Sequence, residues 1–480
     1  MNPEPSRQTP APQGAGPRSL TQVPTLPGRV PLIGHLLQLW LDPLAFLQSV
    51  EHAGDIVRVD LGCLPVYFLT TPDLVHQALV THARVFGKGR FFERARAALG
   101  DGLATTDSEV NARQRRLVQP ALHRTRITAV YAQVMERRAR SVAMSWQPDE
   151  IVRVDRAMHE LTAGIVAESL FSSGLSQAAL DEVWRSLQVL SRGVVVRAVA
   201  PAVLDRLPIP LNSGFSDAGV RLRRIIDEVI RHARTDGAGR DDLLTKLLEA
   251  RDTETGEAMT DAEIRDQLIT LLLAGTETTA TTLAWVFHEL ARHPDVEARV
   301  QAEVDEVVGS GPVNVADLHR LQYLDRVLQE VTRLYALVLI TRKATSTVTL
   351  GGVTFPAGTE VAYSQYALHR DPRTYPDPER FDPDRWLPSR SSQGTPIPFG
   401  KGKYKCPGEA FARAEMLISV ATITARWRLV PAPGSTVKPV LAEMPRPNAL
   451  PMIAVPRQTV PRTPQPRTGD PTVREESDRP

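Results

Sequence analysis

The chain has 480 residues, of which 42% are hydrophobic and 23% are charged, and both fractions are ordinary for a globular protein with a large core. The 57 basic residues nearly balance the 55 acidic ones, so the net charge of +2 argues against a nucleic-acid-binding protein. The two cysteines, Cys63 and Cys406, exclude a disulfide framework and a Cys-x-x-Cys zinc site.

Both ends of the chain are rich in proline and polar residues, and we expect disordered tails over residues 1–25 and 456–480. The first 25 residues contain no apolar stretch typical of a signal peptide. The run from Leu32 to Leu47 is broken by polar residues and Pro43, whereas a membrane span needs about 20 apolar residues. We therefore expect one domain over residues 26–455 in a soluble, cytoplasmic monomer with no membrane span.

The first predicted element is a hairpin over residues 54–72, where apolar and polar residues alternate around Gly62 and Pro65. Apolar residues at three- and four-residue spacing then predict helices, and these lie within 108–122, 127–146, 155–171 and 220–234.

The longest predicted helix runs from Asp261 to about His293, because no proline occurs before Pro294. About thirty residues at about 1.5 Å each would span roughly 50 Å, enough to cross the protein. Its middle is apolar on nearly every side, which indicates a helix buried on all faces.

The remaining elements complete a mainly α fold with small β-sheets. A helix is predicted within 323–337, strands within 345–364, an irregular segment from His369 to Pro388, and a last helix within 406–427 that begins at Pro407. No repeat or internal linker divides the core, which favours a single domain.

A lone thiol stands just before the last helix. Residues 398–408, PFGKGKYKCPG, place Cys406 beside three of the seven lysines of the chain. The helix dipole and the lysines would favour a thiolate, and Gly400, Gly402 and Gly408 would let the backbone approach a large flat group. A buried structural cysteine and a nucleophilic cysteine with a distant histidine base are the alternatives.

The spacing Phe399-Gly400-x-Gly402-x-x-x-Cys406-x-Gly408 resembles the haem-binding loop of the cytochromes P450, and the resemblance extends over nearly the whole core. It implies the cytochrome P450 fold, a triangular prism with a long central helix over the haem. It also implies haem b, iron protoporphyrin IX, as the cofactor, with the Cys406 thiolate as the iron ligand.

The segment AGTETT, residues 274–279 in the long helix, resembles the oxygen-activation motif of the same family. This resemblance implies that Thr278 and Glu277 relay protons during activation of O2, beside Ala274 and Gly275. Gly275 would open space against the helix. In the alternative interpretation, the threonine hydroxyls bond only to the preceding helical turn.

The pair Glu330-x-x-Arg333 lies one helical turn apart and can form an ion pair. With Arg385 in FDPDRW, it resembles the structural Glu-Arg-Arg network of the family. A solvated surface pair is the alternative, because such spacings are common.

Arg115 and Arg342 match positions where the family binds the haem carboxylates, and solvated arginines are the alternative. Two residues depart from the pattern: Asn111 replaces a usual tryptophan or histidine, and Tyr404 replaces a usual arginine or histidine. Either Tyr404 donates its hydroxyl to a haem carboxylate, or the two arginines bind the carboxylates alone.

The resemblance implies a haem-thiolate monooxygenase that inserts one oxygen atom from O2 into a C–H bond of a hydrophobic small molecule. Within the family the chain is most similar to bacterial sesquiterpene oxygenases of the pentalenene type, which implies a terpenoid of secondary metabolism, including antibiotic biosynthesis. The alternatives are a multistep oxidase or coupling enzyme and a haem-binding sensor or carrier without turnover. Candidate substrate contacts are apolar; they are Phe91, Phe92, residues 193–204, Leu272, Ala274, Leu337, Val338, Leu339 and Ile340.

No flavin or iron–sulfur motif occurs in the chain, so we expect NAD(P)H electrons to arrive through a ferredoxin reductase and a ferredoxin. An acidic ferredoxin would dock on positive charges near the thiol. The candidate docking residues are Lys401, Lys403, Lys405, Arg113 and Arg116.

Overall fold

The computed structural model describes residues 18–172, 175–199, 210–235, 241–309, 311–389 and 396–458. Within these ranges the α-helices are α1 Leu36–Leu41, α2 Pro43–His52, α3 Pro72–His76, α4 Arg90–Leu99, α5 Ser108–Val118, α6 Arg124–Arg126, α7 Ala132–Ser145, α8 Val154–Phe171, α9 Gln177–Val199, α10 Pro210–Thr235, α11 Leu243–Glu249, α12 Asp261–Arg292, α13 Pro294–Val307, α14 Gln322–Leu334, α15 Gln365–Leu368 and α16 Glu409–Arg426. Short 3₁₀ or π turns lie at Leu20–Gln22, Gln77–Thr81, Gln119–Leu122, Ile127–Tyr131, Val315–Arg320, Pro383–Trp386 and Gly402–Tyr404.

The strands are short and belong to small sheets. They are β1 Ile56–Leu61, β2 Leu64–Leu69, β3 Phe86–Lys88, β4 Ile151–Arg153, β5 Ile340–Ala344, β6 Val348–Leu350, β7 Val353–Phe355, β8 Glu360–Tyr363, β9 Trp427–Pro431, β10 Pro439–Val440, β11 Arg446–Pro447 and β12 Pro451–Pro456. The structure confirms a mainly α fold with small sheets.

Helix α12 is the central element of the fold. It begins with a capping box, in which the Thr260 hydroxyl accepts from the Glu263 N–H at 3.2 Å and the Glu263 carboxylate accepts from the Thr260 N–H at 2.8 Å. It ends just before Pro294, which begins α13. Its 32 residues extend over about 48 Å, so the predicted length is confirmed, whereas burial on all faces is not, because Ala274 in its middle is exposed.

The largest sheet has five strands in the order β1-β2-β8-β5-β3. Strands β1 and β2 form the predicted antiparallel hairpin, with Ile56 opposite Leu69. Strand β8 joins β2 in parallel, whereas β5 is antiparallel to both β8 and β3. The register of β3 and β5 places Lys88 directly opposite Arg342, a pairing that becomes important in the site.

Several details differ from the sequence expectations. Nine helices of the described ranges have no counterpart among the predicted elements, and these are α1, α2, α3, α4, α6, α9, α11, α13 and α15. Pro407 does not begin the last helix, because α16 starts at Glu409 with Gly408 as its N-cap. Residues 18–25, expected in a disordered tail, pack on the sheet through the buried Val23 and a bridge from Thr25 to Arg58. Residues 1–17 and 459–480 lie outside the described ranges.

The main hydrophobic core surrounds α12 and includes buried residues of α7, α8, α14 and α16. Two smaller cores lie against the five-stranded sheet. Within the described part of the chain, every helix is too short or too polar to cross a membrane.

Candidate active site

The loop that carries Cys406 is held by its own backbone. The Cys406 N–H donates to the Phe399 carbonyl at 2.8 Å. Gly400 and Gly402 have φ values of +71° and +68°, in the left-handed region that favours glycine. A Cβ on Gly402 would lie 1.9 Å from the Leu79 carbonyl oxygen. Gly402 therefore permits close approach to a neighbouring backbone segment, and not to a flat ligand as expected.

The thiol is accessible although protein surrounds it on several sides. The Cys406 side chain is exposed, yet burial raises its pKa, and the Glu409 carboxylate acts in the same direction. The Gly408 N–H, Arg115 and Lys405 lower the pKa by less. The helix end and Lys405 therefore act in the expected direction, but burial outweighs them and the pKa of the thiol is raised overall. Metal coordination deprotonates a thiol outright, so the exposed sulfur fits the role of a metal ligand.

Two buried cations face each other beside this loop. Lys88 and Arg342 are directly opposite on β3 and β5 and are 8% and 5% exposed. The Lys88 ammonium donates to the Leu103 and Ala104 carbonyls at 2.6 Å. Among the described residues, the Arg342 Nε has no hydrogen-bond partner.

Like charges in opposing positions destabilise a sheet, and burial together with Arg342 lowers the pKa of Lys88 to about 7. An anionic ligand would relieve this repulsion. Lys88 is absent from the residues predicted from sequence, because only the strand register brings it next to Arg342.

Arg115 on α5 lies beside the thiol loop. Its guanidinium donates to the Lys405 carbonyl at 2.7 Å and to the Asn111 side-chain oxygen at 3.4 Å. Asn111 itself donates to the Leu103 carbonyl at 2.9 Å. Asn111 therefore positions Arg115 and ties α5 to the loop that also holds Lys88.

The surroundings of Tyr404 favour the second sequence-based alternative, in which Arg115 and Arg342 bind the haem carboxylates without its hydroxyl. Its hydroxyl donates to the Asp107 carboxylate, so it is already engaged within the protein. Its ring lies 4.8 Å from the Arg342 guanidinium and 5.4 Å from the Lys88 ammonium, distances typical of cation–π contacts.

The residues around the loop fit a haem group. Its two carboxylates need cationic partners, and Lys88, Arg115 and Arg342 are cations near the thiol loop. Cys406 offers one exposed sulfur as an axial ligand.

One face of α12 is accessible even though the helix runs through the core. Ala274 is exposed, and Leu271 and Thr278 are partly exposed, at spacings of three and four residues along the helix. Leu272, one of the expected substrate contacts, is 0% exposed and packs in the main core. That expectation is wrong, and Leu271 is the leucine on the accessible face.

The threonines of α12 bond back to the preceding turn, as in the alternative interpretation. The Thr278 hydroxyl donates to the Ala274 carbonyl at 2.9 Å, and Thr282 donates to the Thr278 carbonyl at 2.9 Å. A Cβ on Gly275 would lie 3.1 Å from a methyl of Val166. Gly275 therefore lets α8 approach α12 closely, and the space that we expected it to open is filled by Val166.

Glu277 is the acid of this helix segment. Its carboxylate lies 3.9 Å from the Nδ1 atom of His159 on α8, and both side chains are partly exposed. Glu277 and His159 thus bring a carboxylate and an imidazole, both of them groups that can act in proton transfer, to the same part of α12.

The aromatic and aliphatic residues expected to contact substrate are only partly available. The Phe91 and Phe92 rings meet edge to face at 5.3 Å, and both are partly exposed. Leu337 and Leu339 are also partly exposed. Val338 and Ile340, however, are 5% and 8% exposed and belong to the cores beside the sheet. Residues 200–204 of the expected segment 193–204 lie outside the described ranges.

The predicted Glu-Arg-Arg network is present and fully buried. The Arg333 guanidinium donates to both oxygens of Glu330 at 2.8 and 2.9 Å, and both side chains are 0% exposed. The Arg385 Nε lies 3.4 Å from Glu330, and the Trp386 indole donates to the same carboxylate at 3.0 Å. The network ties α14 to the irregular segment that precedes the thiol loop.

The positive surface near the thiol is smaller than expected. Lys401 is exposed, Lys405 pairs with Glu409 at 2.6 Å, and Lys403 lies 3.9 Å from Asp107. The two arginines are matched by acids, which are Glu263 at 2.7 Å from Arg113 and Asp252 at 2.8 Å from Arg116. Arg113 and Arg116 therefore add little net positive charge to the lysines, contrary to expectation.

Comparison with known proteins agrees with this geometry. The family model for cytochrome P450 matches residues 24–458. The cyclooctat-9-en-7-ol 5-monooxygenase of Streptomyces melanosporofaciens is 43% identical, and the alignment covers 94% of this chain and 98% of that protein. The pentalenene oxygenase of Streptomyces avermitilis is 37% identical over 89% of this chain and 96% of that protein.

A solved structure gives the same result for the fold. The crystal structure of the cytochrome P450DA heme domain superposes with a TM-score of 0.82 at 25% identity, covering 92% of this chain and 99% of that one. The chain belongs to the cytochrome P450 family, and it is a haem-thiolate monooxygenase.

Proposed function

We propose that the protein inserts one oxygen atom from O2 into a C–H bond of a terpenoid in secondary metabolism. The main structural support is the accessible face of α12, where Ala274 is exposed in the middle of a helix that runs through the main core. Apolar residues near this face suit a lipophilic substrate. Two relatives act on cyclooctat-9-en-7-ol and on pentalenene. The domain that would carry this activity is the one expected over residues 26–455, extended by residues 18–25, which pack on its sheet, and by the end of β12 at Pro456.

Haem, when bound, supplies activation of O2 at a thiolate-ligated iron. In this proposal Cys406 would supply the sulfur ligand to the iron, and Lys88, Arg115 and Arg342 would hold the two carboxylates. The apolar side chains orient the substrate and exclude water from the reacting C–H bond.

The proton pathway would use the side chains on and beside α12. The Thr278 hydroxyl is oriented by its bond to the Ala274 carbonyl, so its oxygen can hold a donor water in a defined position. In this proposal Glu277 and His159, which lie 3.9 Å apart, would pass protons from solvent through a water between them. Protons from solvent would thus reach the α12 face without a wide water channel.

We infer that electrons pass from NAD(P)H through a ferredoxin reductase and a ferredoxin to this protein. Lys401 and Lys405 are the exposed cations beside the thiol loop, and an acidic partner would associate with them in a salt-sensitive manner. The supply of NAD(P)H favours the cytoplasm as the site of action.

The test is a spectral titration of the holoenzyme with a panel of terpenes, steroids and fatty acids, followed by turnover under ¹⁸O2. We expect terpenoids to shift the haem spectrum at the lowest concentrations and to gain one labelled oxygen atom. Preferential binding of fatty acids or steroids would contradict the terpenoid assignment. Tight binding without any oxygenated product would instead favour a sensor or carrier.

A further inference from the structure

The turn between β10 and β11 carries an acidic residue next to the expected substrate-contact segment. The Glu443 carbonyl accepts from the Val338 N–H at 2.9 Å, and the Pro445 carbonyl accepts from the Trp285 indole on α12 at 2.6 Å. These two bonds fix the turn against α12 and against residues 337–340. The position of Glu443 is therefore set by the same elements that form the proposed substrate site.

The carboxyl group of Glu443 lacks a partner within the described ranges, although the residue is partly exposed. Its side chain is partly exposed, and within the described ranges its carboxyl makes no hydrogen bond or ion pair. Burial raises its pKa, and the Glu277 carboxylate raises it further. The Glu443 carboxyl is thus close enough to Glu277 for the two to interact electrostatically.

Other acids in the interior show why Glu443 is unusual. Glu330 accepts hydrogen bonds from Arg333 and Trp386, so its charge is satisfied within the protein. Glu415 also lacks a partner among the described residues, but it is 0% exposed and no ligand can reach it. Glu443 differs from both, because its carboxyl lacks a partner and the residue is partly exposed in a turn that contacts α12.

We propose that Glu443 forms a hydrogen bond with a hydroxyl group of the substrate, so that the enzyme takes a terpenoid alcohol in preference to the parent hydrocarbon. The inference rests on the proposed terpenoid oxidation and narrows its substrate class. A partly buried carboxyl without a partner is unfavourable, and a hydroxyl supplies both a donor and an acceptor. A preceding hydration or hydroxylation step must then supply the alcohol.

A site built to bind a hydroxyl group discriminates strongly against an analogue that lacks it, because its polar group is then left unpaired. The opposite expectation holds for a purely apolar pocket. There the hydrocarbon would bind as tightly as the alcohol, or more tightly.

The test is a spectral titration of the holoenzyme with matched pairs of probes, cedrene with cedrol and farnesene with farnesol. In the wild type we expect the alcohol of each pair to bind about tenfold more tightly or better. Glu443→Leu should abolish this preference by weakening alcohol binding alone, whereas Glu443→Gln should keep part of it. Met444→Leu is the control in the same turn and should keep the full preference.

Equal affinity for both members of each pair in the wild type would overturn this inference and leave terpenoid oxidation standing. An equal loss of affinity for the alcohol and the hydrocarbon in Glu443→Leu would also overturn it, because that result indicates a structural role for Glu443. Failure of all four probes to bind, with tight binding of fatty acids, would overturn the terpenoid assignment itself and the inference with it. Thermal melting of each variant shows whether the fold is intact.

Discussion

The Tyr404 hydroxyl donates a hydrogen bond to the Asp107 carboxylate, and this bond joins the loop that carries Cys406 to the start of α5. Asp107 also accepts from the Lys88 N–H at 2.6 Å and from the Ser108 N–H at 2.7 Å. One carboxylate thus connects the thiol loop, β3 and α5. The thiol and the cations that fit the haem carboxylates are thereby positioned relative to one another by the protein alone.

Removing the Tyr404 hydroxyl should lower the stability of the protein more than it lowers the affinity for haem. Tyr404→Phe keeps the ring against Arg342 and Lys88 but leaves Asp107 with one donor fewer. We expect the free energy of unfolding to fall by about 1–3 kcal/mol, as for other hydrogen bonds to charged groups, while haem affinity stays nearly unchanged. Urea denaturation and haem titration of the apoprotein measure the two quantities.

Tyr404→Arg tests whether a cation at this position would improve haem binding. It places another cation beside Lys88, Arg342 and Lys403, so we expect lower apoprotein stability and no gain in haem affinity. A clear gain in haem affinity would show that Lys88, Arg115 and Arg342 do not suffice to bind the haem carboxylates.

Lys88 should make haem binding depend on pH. In the haem-free protein its pKa is lowered from 10.5 to about 7, and a haem carboxylate would favour the ammonium form. Haem binding above about pH 7 therefore requires uptake of a proton, and affinity should fall as the pH rises further. The rate at which haem transfers to apomyoglobin measures this affinity, and it should be followed from roughly pH 6.5 to pH 9.

Lys88→Met should retain haem less well near pH 7 and lose most of this pH dependence. Lys246→Met removes an ammonium that pairs with Glu249 and serves as the control. If Lys88→Met kept the wild-type pH profile, another group would be responsible. The haem-free protein itself should become more stable as the pH rises from about 7 to 10.5, because the unfolded chain binds the extra proton there.

The sequence predicts those features whose determinants are local. The end of α12 follows from Pro294, and the roles of the Cys406 loop and of the Glu330–Arg333 pair follow from the resemblance of their motifs to those of the family. Lys88 required the register of β3 against β5, and register depends on long-range pairing. The prediction for Leu272 is wrong because hydrophobicity does not show which face of an all-apolar helix is accessible. Glu443 lies in a short turn whose location depends on Val338 and Trp285.

The Glu330 network should be essential for stability. Glu330→Ala leaves Arg333 and Arg385 buried without their shared carboxylate, and we expect a loss of about 3–5 kcal/mol in the free energy of unfolding. Glu182→Gln, which removes a pair with the exposed Arg221, should cost less than about 1 kcal/mol. Urea denaturation of both variants compares their free energies of unfolding directly. Equal, small decreases in the two variants would contradict the structural role of the Glu330 network.

Thr278 should govern how efficiently electrons are used. Thr278→Ala removes the hydroxyl on the accessible face of α12, so we expect a larger share of the consumed NAD(P)H to appear as hydrogen peroxide. Thr282→Ala removes a hydroxyl with the same type of backbone bond from a buried position and is the matched control. Peroxide and product are measured together, and equal coupling in both variants would remove Thr278 from the proton pathway.

The central claim is that the Cys406 thiolate ligates haem iron, and the carbon monoxide spectrum of the reduced holoenzyme tests it most directly. We predict the long-wavelength Soret band characteristic of thiolate ligation in the wild type and in Cys63→Ser, and its loss in Cys406→Ser. A wild-type band characteristic of imidazole ligation, or a thiolate band that persists in Cys406→Ser, would contradict the claim.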